Sequence, residues 1–116
     1  MAFDYYVLVD DDDRDRVVGL FAVNRDKEAG RLDTMLYDHH ARAWTSDPSA
    51  VSMLLFGEDF AEVRRRVHRS EAEQAAAGLG IAVPTEEELM RISDEAEQRR
   101  ARRRRWRLNF GRREAP

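Results

Sequence analysis

Nine arginines fall between Arg99 and Arg113 with no acidic residue among them. Guanidinium groups are almost never buried without partners, so this stretch cannot supply a core. Whatever folds must fold from the residues before it. Residues 1–98 hold ten arginines and one lysine against twenty-two acids, a formal charge of −11, and residues 99–116 hold nine arginines against Glu114, a charge of +8. The net of −3 is therefore the sum of an acidic body and a basic arm. Such asymmetry between two parts of a chain points to an interaction tail rather than to a fold. The expected division is a small acidic α+β domain over 1–98 and an arginine-rich extension over 99–116.

A body of this length has room for one modest core, and two domains would leave neither with enough. The absence of cysteine rules out a disulfide framework and thiolate metal sites. The chain begins without a basic region followed by an apolar run, and no window approaches the roughly eighteen apolar residues of a membrane span. The expectation is a soluble, cytoplasmic protein.

Tyr5-Tyr6-Val7-Leu8-Val9 is rich in aromatic and β-branched residues and stops at an acidic cluster, as a strand entering a turn does. Val17 to Val23 is a second apolar run closed by Asn24, and the two make an antiparallel hairpin. The connection from Asn24 to Gly30 precedes two further short strands, Arg31 to Tyr37 and Ala41 to Thr45. Asp47-Pro48 supplies an N-cap and a first-turn proline, and Gly57 a stop, so a short, largely buried helix is expected between them. Trp44, Met53, Leu54 and Phe56 are then expected in the core. Residues 60–68 fit helix or strand, with a lean to a fifth strand returning to the sheet. Ser70-Glu71-Ala72-Glu73 reads as a capping box opening a helix that ends near Gly78 or Gly80, with Ile81 and Val83 tucked onto the core. Thr85-Glu86-Glu87-Glu88 repeats the device and opens a longer helix with Leu89, Ile92 and Ala96 on one face, Met90 beside them. The apolar stripe stops at Ala96, so this helix docks by its first three turns and then projects or frays. The fold class is α+β: an antiparallel meander of about four strands with a candidate fifth, two short helices, and a longer C-terminal helix ending in the arginine tail.

Three stretches carry residues that bear on function. The first is the tail, where Arg99, Arg100, Arg102, Arg103, Arg104, Arg105, Arg107, Arg112 and Arg113 surround Trp106 and Phe110. Arginine pairs bidentately with phosphate and stacks on bases, and the two aromatic rings can stack as well. Contact with about six phosphates would give a log affinity against log salt slope near −5. Competing readings are a solubilising extension, self-association or an acidic protein groove, and, less favoured, an anionic membrane surface. The second stretch is the acidic loop Asp10, Asp11, Asp12, Asp13 and Asp15, a candidate surface for a protein partner. Asp11, Asp13 and Asp15 have the alternate spacing of a calcium loop, but Arg16 stands where the turn glycine belongs and Ala22 where the closing glutamate belongs, so a solvated turn is expected. In the third, Asp38-His39-His40, neighbouring residues of an extended chain point to opposite faces, which favours a turn over a metal or acid–base site. No phosphate loop, nucleophile elbow or metal-binding helix signature is present, and no cofactor or metal is expected. The leading expectation is a non-enzymatic adaptor anchored to nucleic acid or a nucleoprotein by its tail. The alternative is an inhibitor or immunity-type protein that presents its acidic body to a basic cleft, and an enzyme using Asp38, His39 and His40 ranks third.

Overall fold

The computed structural model describes residues 3–26 and 30–114, with side chains from residue 109 onward and that of Arg31 outside the description. Five strands, β1 (Asp4–Val9), β2 (Val17–Asp26), β3 (Arg31–Asp38), β4 (Ala43–Ser46) and β5 (Arg64–Val67), form one sheet in the order β4-β3-β2-β1-β5. Every neighbouring pair is antiparallel. Three helices complete the fold: α1 (Pro48–Phe56), α2 (Arg69–Gly78) and α3 (Glu86–Glu114). The α+β architecture expected from the sequence is the one observed, with the fifth strand present.

Successive side chains of a strand face opposite sides of a sheet, and the central strand β2 is covered on both. Leu20 and Ala22 face α2 and α3, joining Tyr5, Val7, Val9, Met35, Trp44, Ala72, Ala76 and Leu89 in one buried cluster. Phe21 and Val23 face the other way, onto Val51 and Leu54 of α1, with Tyr6 stacked on Phe21 at 4.7 Å. The sheet is thus a middle layer, with α1 on one face and α2 with α3 on the other. That double coverage explains the near-continuous apolar run of β2, buried from Gly19 through Asn24. Pairing with β3 carries the strand on through the exposed Arg25 and Asp26, three residues into the expected connection from Asn24 to Gly30; residues 27–29 of that segment lie outside the description.

Local capping accounts for the helix starts. The Asp47 carboxylate accepts from the Ala50 amide at 3.0 Å, with Pro48 in the first turn. Thr85 Oγ1 accepts from the Glu88 amide at 3.2 Å. The expected capping box at Ser70 is displaced by two residues. Strand β5 pairs with β1 as far as Val67, so the chain turns into the helix at once, and it is Glu71 that accepts from the His68 amide at 3.1 Å. Glu73 instead pairs with Arg69 at 2.8 Å. Strand β4 likewise begins at Ala43, not Ala41, because Ala41 is held in the turn made by Asp38. At Gly57 the backbone turns extended (φ −68°, ψ 130°) and ends α1, and the position needs glycine because a Cβ there would lie 2.5 Å from the Met53 carbonyl oxygen.

One core expectation fails. Trp44 and Leu54 are buried, but Met53 is 55% exposed and Phe56 73% exposed. Helix α1 buries Val51 and Leu54, three residues apart, against the sheet, with Leu55 partly buried beside them, and turns Met53 and Phe56 outward.

Candidate nucleic-acid interface

Helix α3 both docks on the body and carries the arm. At its start Glu86 accepts from the Phe3 amide at 3.3 Å, over β1. One turn on, Leu89 is fully buried. Beside Met90, whose sulfur receives the Asn24 amide at 3.7 Å, Ser93 donates to Asp33 at 2.7 Å. Ala96 is buried, and Arg100 reaches Ser46 Oγ of β4 at 3.1 Å. The helix therefore crosses the sheet from β1 to its β4 edge and leaves there. Ala96 ends the apolar stripe as expected, and Arg100 adds one more turn of contact.

Beyond Arg100 the backbone stays helical to Glu114. At 1.5 Å per residue this places about 21 Å of helix outside the sheet. The molecule is correspondingly elongated, 60 Å by 29 Å by 28 Å. Arg99, Arg102, Arg103, Arg104, Arg105 and Arg107 are exposed, as are Trp106 and Leu108 at 65% each. Glu97 engages Arg100 at 3.4 Å and Arg104 at 3.3 Å. Among the described residues no acid pairs with Arg99, Arg102, Arg103, Arg105 or Arg107. At 100° per residue these five arginines spread over about 200° of the helix circumference. Several stand four apart (Arg99 and Arg103, Arg103 and Arg107), where like charges repel by a few tenths of a kcal/mol per pair. The helix dipole favours cations at this end by a similar amount. The two effects are of similar size, and the arm stands as a densely cationic helix. Arg112 and Arg113 lie on its last turn and Phe110 just before them; their side chains are outside the description.

The acidic loop sits elsewhere, at the far end of β1 and β2. Asp10 accepts from the Asp12 amide at 3.0 Å and Asp13 from the Asp15 amide at 3.2 Å, the self-capping habit of aspartate in turns. Arg16 lies 3.8 Å from Asp10, and Arg14 lies 3.5 Å from Glu62. Asp11, Asp12, Asp13 and Asp15 are exposed. In the third stretch Asp38 accepts from the His40 and Ala41 amides at 2.9 Å and 3.1 Å, which makes the expected turn. His39 packs its ring edge-on to Tyr37, with Nε2 3.0 Å from the Val18 carbonyl oxygen. Among the described residues no three histidine, aspartate or glutamate side chains converge as a metal site.

Sequence reasoning missed two polar nodes. Asp33 is 2% exposed and receives both Ser93 Oγ and, at 3.3 Å, Asn24 Nδ2. In the second, Arg69 donates to the Tyr5 hydroxyl at 2.5 Å and to the Pro84 carbonyl at 2.9 Å, while its guanidinium lies 5.3 Å from the Tyr5 ring centre. Tyr5 in turn donates to Glu86 at 3.4 Å. Burial is the largest influence on the Tyr5 phenol and pushes its pKa above the ordinary value of 10.0, with Arg69 opposing. The folded state therefore holds this proton more tightly than the unfolded chain. Stability should fall as pH rises through the unfolded value and on through the folded one. Urea midpoints measured from about pH 8 to pH 11 should decline more steeply for the natural protein than for Tyr5→Phe; equal slopes would exclude Tyr5 as the titrating group.

No protein-family model matches the chain, and neither a curated protein nor a solved structure is similar to it. No described helix is long and apolar enough to cross a membrane.

Proposed function

We propose that this protein is a non-enzymatic adaptor that grips nucleic acid, or the nucleic acid of a nucleoprotein, with the projecting end of α3. The observation that carries this reading is a helical arm clear of the sheet, with five described arginines unpaired and Trp106 exposed beside them. A bare helix fits the major groove, about 12 Å wide, and fork-shaped guanidinium groups over more than half of its circumference can meet phosphates on both groove walls. Arginine–phosphate contacts of this kind position a protein without reading sequence. The acidic body, repelled by the same polyanion, is left facing outward for a protein partner. The cytoplasm is the proposed address, a reducing compartment that suits a chain without cysteine.

Fluorescence anisotropy of a labelled duplex across a salt series tests the proposal. Six phosphate contacts predict a slope of log affinity on log salt near −5. A flat salt response, or no binding at low salt, would remove nucleic acid as the arm's ligand. The second reading, in which the body blocks a basic protein cleft, is favoured by the exposed carboxylates of the β1–β2 loop. Under that reading the function survives loss of the arm's arginines.

A further inference from the structure

We propose that the chain also binds a second copy of itself head to tail, the arm of one molecule seated in an acid-rimmed apolar groove on the next. The groove has a volume of about 510 Å³ and is floored by Leu8, Val18 and Phe60. Val18 is 41% exposed because the register of β2 against β1 shifts between Leu8 and Val9, which leaves this residue outside the pairing. At the rim stand Asp11 and Asp59, both exposed and, among the described residues, without an ion pair.

An occupant of this groove has to bring cations to the rim and apolar surface to the floor. The arm has both: exposed Arg103 and Arg107 flank Trp106, itself 65% exposed, on one side of the helix. Arginine meets a carboxylate with two parallel hydrogen bonds, and a tryptophan over an apolar floor is the kind of anchor that dominates small interfaces. A molecule cannot fill its own groove. Helix α3 lies on the face of Leu20 and Ala22 and leaves over β4. The groove opens beside Leu8 and Phe60, which pack with α1 on the opposite face, near the opposite edge of the sheet. The helix is unbroken from Glu86 to Glu114, so nothing lets the arm double back. Arm and groove are different surfaces, so the contact is heterologous and each copy keeps one free arm and one free groove for the next.

The full-length protein, freed of nucleic acid by nuclease and high salt, is examined by sedimentation velocity over about a hundredfold range of concentration. At low salt its weight-average mass should climb above 13.5 kDa as concentration rises, and it should return to that value at high salt. The groove variant Asp11→Lys/Asp59→Lys and the arm variant Arg103→Glu/Trp106→Ser should each stay monomeric. Their mixture should give a 1:1 heterodimer, because one sound arm then meets one sound groove and neither end can extend. All four altered residues are exposed, and circular dichroism of each variant checks that the fold is kept. A natural protein monomeric at every concentration at low salt overturns the proposal. So does a groove variant that assembles like the natural protein, or a mixture that stays monomeric. Assembly that requires added duplex also overturns it, since bridging by nucleic acid then accounts for the contact and only the proposed function stands.

Discussion

Leu89→Ala is expected to destabilise the protein by about 3 kcal/mol, within the 2–5 kcal/mol range for deleting a fully buried leucine side chain. Among the described residues, Leu89 is the one large apolar side chain that α3 buries completely. Its neighbours on the docking face are Met90 and Ile92, only partly buried, Ser93, whose contribution is a hydrogen bond, and Ala96, which has little surface to bury. The cavity left by the mutation would lie among Tyr5, Ala22, Met35 and Trp44, a rigid sheet layer that cannot collapse to fill it. Urea unfolding is the measurement: the midpoint should fall with the slope unchanged, since the surface exposed on unfolding is nearly the same. Trp106→Ala, in the arm, should move stability by less than about 0.5 kcal/mol. Loss of less than about 1 kcal/mol in Leu89→Ala would mean that α3 is not held where the structure places it.

The second large effect concerns binding. Replacing Arg102, Arg103, Arg105 and Arg107 with glutamine removes four charges that pair with no described acid and keeps good helix formers in their place. Each lost phosphate contact lowers the salt slope by about 0.9 and, at about 0.1 M salt, the affinity nearly tenfold. Four together should flatten the slope by about 3.6 and weaken duplex binding at least a thousandfold. The same substitutions at Arg64, Arg65 and Arg66 of β5 should change affinity little. Arg64 is committed to the Leu54 carbonyl at the end of α1 and Arg66 to Asp4. An unchanged slope in the arm variant would place the polyanion site elsewhere.

What the sequence disclosed and what it concealed divide along the range of the interactions. Asp47, Thr85 and the apolar runs of β1 and β2 act within a few residues of themselves, and each did what its neighbourhood implies. The start of α2 was misplaced because Glu71 and Glu73 are both competent to cap. The choice between them is made by β5, which holds the backbone extended through Val67. Met53 and Phe56 sit in an unbroken apolar run, which has no periodicity to say which side faces inward. The sheet makes that decision by receiving Val51 and Leu54. Asp33 had no local signature: it is a lone carboxylate in a short strand, and its partner Ser93 lies sixty residues away. The basic character of the arm was plain from composition. Its continuity with the core-bearing helix was not, since a run of arginines is equally compatible with a frayed end.

That continuity makes the arm a lever. No joint separates Leu89 from the arginines, so a ligand that grips the free end also holds the buried end in its seat. Molecules whose α3 has come loose present a wandering handle and bind worse. Occupancy of the arm should therefore register as slower amide exchange around Leu89 and as a higher melting temperature, rising with the logarithm of ligand concentration, though the ligand touches nothing in the interior.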